Sequence, residues 1–179
     1  MEKIIKTLKE LNIKEDEIEK IITYIKELIK WNRKMNLIGK NEPEWILKDL
    51  IIPVILIREW IEEGEVIEIG AGSGIVSVVL SILNKNARFT LIERREKKSV
   101  FLRYIRKELE IDFDVFCKDV KEGDFKKVYD YLILRGVKLE DWHLNIARKV
   151  IYFGKTKNKE IISEKKYKNI LITMIKGNV

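Results

Sequence analysis

One cysteine (Cys117), one histidine (His143), two prolines and no glutamine occur among the 179 residues of this chain. A lone cysteine excludes an internal disulfide, and one cysteine with one histidine leaves no cluster for a structural metal, so no metal is expected. Cys117 falls in an apolar run and reads as a small core residue. His143 reads as a helix-face residue rather than a catalytic base. Long hydrophobic runs are also missing. The longest, residues 50–57, spans eight positions and contains Pro53, far short of the roughly 20 that cross a bilayer. No basic-then-apolar leader with a small-residue cleavage site opens the chain, so no membrane association and a cytoplasmic location are expected.

What is present is charge, unevenly placed. The net charge of +7 lies in the last third. Residues 1–60 carry 12 basic and 11 acidic side chains, residues 61–120 carry 10 and 11, and residues 121–179 carry 14 and 7. A second basic cluster comprises Arg94, Arg95, Lys97, Lys98, Arg103, Arg106 and Lys107, opposed within its stretch only by Glu96. Such patches suit a polyanion such as nucleic acid. A composition rich in Lys, Ile and Glu without Gln equally fits the ion-paired surface of a thermophilic protein. Charge therefore leaves the partner open. With 46% hydrophobic and 36% charged residues, the chain has the size and composition of one soluble domain with a real core.

The most informative segment is Val66-Ile67-Glu68-Ile69-Gly70-Ala71-Gly72-Ser73-Gly74. Glycine at every second position marks a tight backbone turn that passes close to a ligand. The apolar stretch 75–80 then opens a helix whose first free N–H groups face that ligand. A second acid, Glu93, follows 19 residues after Gly74, at the end of the apolar run 89–92. In a doubly wound sheet, an acid there binds ribose. A dinucleotide fingerprint requires glycine at the sixth position counted from Gly70, and Ile75 stands there. The order acid-x-Gly-x-Gly-x-Gly instead resembles the first motif of methyltransferases that use S-adenosylmethionine (SAM). SAM carries no pyrophosphate, and Glu68 ahead of the loop suits its cationic amino-acid end.

Around this motif, periodicity predicts the remaining elements. Residues 2–31 form two amphipathic helices separated at Asn12, and Pro43 opens a third helix running to about Trp60. Strands are expected at 66–69, 88–92, 113–117, 129–134, 149–153, 160–163 and 169–175, with helices at 75–83, 95–110 and 138–148. This alternation predicts an open α/β sheet covered by helices on both faces. The last two strands are joined too closely for a parallel crossover, so one runs antiparallel. One domain over residues 1–179 is expected, with residues 1–60 as a helical extension packed on an α/β cofactor-binding core at 61–179.

With these pieces placed, the chain resembles the RsmG (GidB) family of bacterial small-subunit ribosomal RNA methyltransferases. Trp31-Asn32-Arg33-Lys34-Met35-Asn36-Leu37 matches the family's Trp-Asn-x-x-x-Asn-Leu signature. Lys97-Lys98 followed by Phe101-Leu102 matches its basic pair and Phe-Leu after the second strand. Leu134-Arg135-Gly136 falls where the family carries Ser-Arg-Ala. Departures occur as well. The family's proline-glycine pair after the loop is replaced by Val76 and Ser77, and its His-x-x-Asp-Ser segment by Asp49-Leu50-Ile51-Ile52-Pro53. Its Leu-Lys-Gly near the C-terminus is replaced by Phe153-Gly154-Lys155.

The resemblance implies a Rossmann-like SAM-dependent methyltransferase fold, with a mostly parallel sheet, an antiparallel C-terminal strand and an N-terminal helical extension. It implies transfer of a methyl group to N7 of a guanine in 16S ribosomal RNA, on the bare RNA or the small ribosomal subunit, by a monomer. The alternatives are another substrate on the same fold, or a member that binds without catalysis. Glu68, Gly70, Ala71, Gly72, Gly74, Glu93, Asp119 and Val120 are the cofactor-side candidates. Arg135, Asn36, Lys97 and Lys98 are the substrate-side candidates. Asn32 and Asn36 have helix-end capping as a competing role. No catalytic acid or base is required, because guanine N7 carries a lone pair and no proton.

Overall fold

A computed structural model describes residues 1–179. Helices α1 (Glu2–Glu10) and α2 (Glu15–Met35) lead the chain. Asn12 takes a left-handed φ of 57° between them, which lets the chain reverse. Glu17 closes the start of α2 by accepting the Lys14 amide at 3.0 Å, and Asn36 ends it in the left-handed conformation.

The single long helix expected over 43–60 is corrected. Residues form α3 (Pro43–Trp45), a π-helical segment (Ile46–Ile51) and α4 (Ile52–Ile55), with a 3-10 turn at Arg58–Trp60. Pro53 has no N–H to give and its ring crowds the carbonyl four residues back, so the turn ahead of it widens. The Ile52 amide accordingly reaches the Leu47 carbonyl, five residues back.

Seven strands form one sheet: β1 (Gly64–Ile69), β2 (Ala87–Ile92), β3 (Asp114–Phe116), β4 (Tyr129–Arg135), β5 (Ala147–Phe153), β6 (Ile161–Tyr167) and β7 (Ile170–Lys176). Their order is β3-β2-β1-β4-β5-β7-β6. The first five run parallel, and β7 inserts antiparallel between β5 and β6. The short link between the last two strands enforces this, as its length requires. Helices α5 (Ile75–Leu83) and α6 (Glu96–Glu108) supply two crossovers.

The helix expected at 138–148 is also corrected. Only a 3-10 turn at Asp141–Asn145 forms, and β5 starts at Ala147. Apolar residues there recur mostly every second position (Val137, Leu139, Trp142, Leu144, Ile146), which cannot make one face of an α-helix. They pack instead against a second core on that side of the sheet. Cys117 is exposed, not buried, because β3 is a three-residue strand at the sheet edge.

The main core is continuous from the N-terminal helices to the sheet: Leu8, Ile21, Ile25 and Leu28 belong to the same buried cluster as Val66, Val79 and Phe101. Helix α5 lies in its middle, apolar but for Ser77 and Ser81 and buried from Ile75 to Ile82. No helix is long and apolar enough to cross a membrane.

Candidate active site

Strand register builds the site. Ile69 of β1 lies opposite both Ile92 of β2 and Leu134 of β4. The next residues, Gly70, Glu93 and Arg135, therefore emerge side by side at the carboxyl edge of the sheet, where doubly wound folds bind ligands. A cavity of about 680 Å³ opens there.

The glycine loop forms one wall. Gly70, Gly72 and Gly74 have φ of +72°, +61° and +82°. A methyl group on Gly70 would meet Val137 at 2.5 Å, and one on Gly74 would meet Leu102 at 2.7 Å. One on Gly72 would approach nothing closer than 3.8 Å. The outer two glycines thus answer to packing, whereas Gly72 presents an open face to the cavity, which Gly70 also lines. Tyr24 of α2 fastens the loop from behind, donating its hydroxyl to the Ser73 carbonyl at 2.7 Å, and burial holds its proton on.

Glu93, 5% exposed, accepts the Gly72 amide on one oxygen and the Arg95 amide on the other, both at 2.8 Å. A carboxylate offers about four lone-pair sites, so roughly half remain for a ligand's hydroxyls. Glu68 lies beneath the loop, 2% exposed, and accepts the Ser77 amide at 3.1 Å. Burial pushes its carboxyl up to about 7. The Ser77 hydroxyl beside it has no hydrogen-bond partner.

Across the cavity, Arg135 donates to the Leu50 carbonyl at 3.3 Å and stands 5.2 Å from the centre of the Phe153 ring. Burial lowers its basicity, and the charge of Glu68 opposes that shift. Asp119 and Val120 border the cavity at the end near β3, with Asp119 exposed. Ala71 and Lys98 also line it.

Three candidates lie elsewhere. Gly74 packs against Val78 and Leu102 and does not line the cavity. Lys97 is exposed and does not reach the cavity, and Asn36 is the exposed C-terminal cap of α2. Asn32 is buried and builds the wall next to them. Its side chain accepts the Ile38 amide and donates to Asn41, each at 2.9 Å.

The cavity is also lined by residues that no sequence pattern marks, among them Tyr24's neighbour Ser73, Trp45, Leu50, Val137, Trp142 and His143. His143 is 2% exposed. Its Nδ1 accepts the Glu140 amide at 2.9 Å, and its Nε2 has no partner; burial keeps the ring neutral. No motif spacing marks these positions, since loop and helix residues are brought here only by folding. No group of three or more His, Cys, Asp or Glu residues is placed to hold a metal ion.

SAM fits this donor set. The open face at Gly72, the half-free carboxylate of Glu93 and the buried acid Glu68 beneath the loop match a nucleoside with a zwitterionic tail. Fold and site together define a Rossmann-like, SAM-dependent methyltransferase. The family model for rRNA small subunit methyltransferase G (GidB) matches residues 17–176, and the chain belongs to that family. Ribosomal RNA small subunit methyltransferase G of Brachyspira hyodysenteriae is 30% identical over 153 residues, covering 85% of this chain and 72% of that protein. The Francisella philomiragia protein of the same name is 26% identical over 166 residues, covering 92% and 79%. Among solved structures, the ribosomal protein L11 methylase of Lactobacillus delbrueckii superposes with a TM-score of 0.57 at 14% identity, covering 79% of this chain and 81% of that one. TrmK of M. capricolum, bound to S-adenosyl-homocysteine (SAH), superposes with a TM-score of 0.55 at 14% identity, covering 70% and 68%. These two likenesses establish the fold.

Proposed function

We propose that this protein transfers the methyl group of SAM to N7 of a guanine in the 16S RNA of the small ribosomal subunit. The observation that carries this reading is the register-built juxtaposition of the Gly72–Glu93 wall with Arg135, in a chain of the small-subunit rRNA methyltransferase family.

Bound SAM supplies an electrophilic methyl group on a sulfonium. The chain's residues hold and orient. Glu93 takes the ribose hydroxyls on its free lone pairs while its two backbone bonds keep the carboxylate in place. Gly70, Ala71 and Gly72 let the methionine end lie against the backbone, Gly74 holds the turn behind them, and Glu68 below, losing its proton as the ammonium group approaches, becomes the counter-charge. Val120 packs on the adenine and Asp119 faces its amine. Arg135 holds O6 or a phosphate of the RNA, Lys98 and Lys97 meet phosphates, and the exposed Asn36 contacts the RNA outside the cavity. Because N7 has no proton to lose, alignment and exclusion of water are the demands on the protein. The protein acts as a monomer in the cytoplasm, with residues 1–60 as a helical extension of a single domain.

The test is transfer from labelled SAM to small subunits lacking this methylation, followed by mapping of the labelled base. Label on a guanine N7 is the expected result. A folded, SAM-binding protein that leaves the RNA unlabelled would point to another substrate.

A further inference from the structure

Methylation at N7 relocates a charge. The N7 lone pair bonds the methyl carbon, the carbon–sulfur pair stays with sulfur, and no proton moves. The positive charge passes from the sulfonium to the guanine ring. Whatever faces that ring should favour a cation, and Arg135 on the same wall does the opposite. An added carboxylate would repel RNA phosphates.

We propose that the indole of Trp45 is the stacking face for the target guanine and stabilises the positive charge that the ring gains. This inference rests on guanine N7 being the acceptor.

Three ring-bearing side chains line the cavity: Trp45, Trp142 and His143. Trp142 is already engaged. It stacks on Phe125 at 6.0 Å and 19°, meets the His143 ring at 3.8 Å, and donates its N–H to Glu140 at 2.7 Å. His143 is sealed in the wall. Trp45 is half-buried and has no aromatic partner; the only charged group near its ring face is Lys40, whose Nζ lies 5.8 Å from the ring centre. A cation at that distance shows that the ring takes part in cation–π attraction, and Lys40 itself does not line the cavity.

The ring is firmly mounted. Its neighbours Ile46 and Leu47 are 0% and 1% exposed, and Pro43 starts the helix just ahead of it. The ring edge lies 3.9 Å from where a Cβ on Gly39 would stand. Leu50, one π-helical turn further on, accepts the Arg135 guanidinium, so the stacking face and the arginine share one wall. Asp49, at the family's histidine position, is tied to Lys168 at 2.9 Å and does not line the cavity. Base stacking on an exposed aromatic is a general mode of RNA recognition. Here the attraction strengthens as the charge develops, so it accelerates transfer rather than merely binding substrate.

The test compares Trp45→Phe with Trp45→Leu, the second filling space without a π face. Retained SAH affinity establishes that each variant is folded. At saturating SAM and RNA, Phe is expected to stay within about 3-fold of wild type and Leu to fall about 10-fold or more. A second readout needs no SAM: affinity for a small-subunit rRNA fragment bearing guanine or 7-methylguanine at the mapped position. Wild type and the Phe variant should prefer the methylated fragment about 5-fold or more, and the Leu variant should not. Equal losses in Phe and Leu, equal affinity of wild type for both fragments, or a preference that survives in Leu would each overturn the proposal. Mapping of the wild-type label to another atom would instead remove the reading on which it rests.

Discussion

The Glu93 carboxylate accepts the Gly72 amide at 2.8 Å, joining the end of β2 to the glycine loop across 21 residues of sequence. With the Arg95 amide on its other oxygen, this acid both shapes the loop and faces the cavity. Glu93→Ala would strand two amides, each costing about 1–3 kcal/mol where it stays dry. A lower thermal midpoint and SAH affinity weaker by at least about 10-fold are expected, with Glu93→Gln between Ala and wild type. Calorimetric SAH binding equal to wild type in the Ala variant would remove Glu93 from the cofactor side.

Gly70 and Gly72 should separate folding from binding. Both have left-handed φ, so alanine strains each by about 1–2 kcal/mol. Only Gly70→Ala also drives a methyl group into Val137. Gly70→Ala is expected to be the less stable, whereas Gly72→Ala should lose SAH affinity out of proportion to its small stability loss. Chemical denaturation and calorimetry on both variants measure this, and a reversed order would contradict the cavity assignment of Gly72.

Glu68 predicts a pH dependence of stability. In the folded chain it holds its proton up to about pH 7, against 4.5 for an ordinary glutamate. Between those values the folded state binds a proton that the unfolded state releases. Its contribution is full below about pH 4.5, declines as pH rises, and is gone above about 7, with a slope of at most about 1.4 kcal/mol per unit. Glu68→Gln keeps an acceptor for the Ser77 amide without the titration, so its stability should fall less than that of wild type between pH 5 and pH 8. Parallel urea-denaturation curves for the two proteins across that interval would refute the burial effect.

Arg135→Ala should spare SAH affinity to within about 3-fold while reducing transfer to small subunits by about 100-fold. The lost bond to the Leu50 carbonyl adds a modest stability cost of about 1 kcal/mol. Loss of SAH binding in a folded variant would move Arg135 to the cofactor side.

Residues whose role depends on near neighbours were legible from order alone. Gly70–Gly74 and Glu93 declare themselves because a strand, a tight turn and a helix start must follow one another, and a parallel sheet then fixes where the next acid emerges. The antiparallel last strand followed likewise from a link too short to cross over. Helix Ile75–Leu83 is readable although it shows no polar face, because the glycine turn before it opens a helix. Cys117 was misjudged because an edge strand and an interior strand share the same apolar run. Over 138–146 the apolar residues follow neither one helical face nor a sheet strand, since their loop is held only by packing on the second core.

By itself, then, the sequence determined the order of the strands, the glycine turn that opens α5 and the acid that ends β2, since these rest on backbone geometry and short-range spacing. Only the tertiary structure decided which side chains face the cavity. It turned Lys97 and Asn36 away, brought Tyr24 behind the loop and set Trp45 opposite it. Those placements come from strand register, from the widened turn ahead of Pro53 and from packing of the N-terminal helices on α5. The first and last are long-range contacts, and the turn is a proline effect on backbone bonding; apolar periodicity encodes none of them.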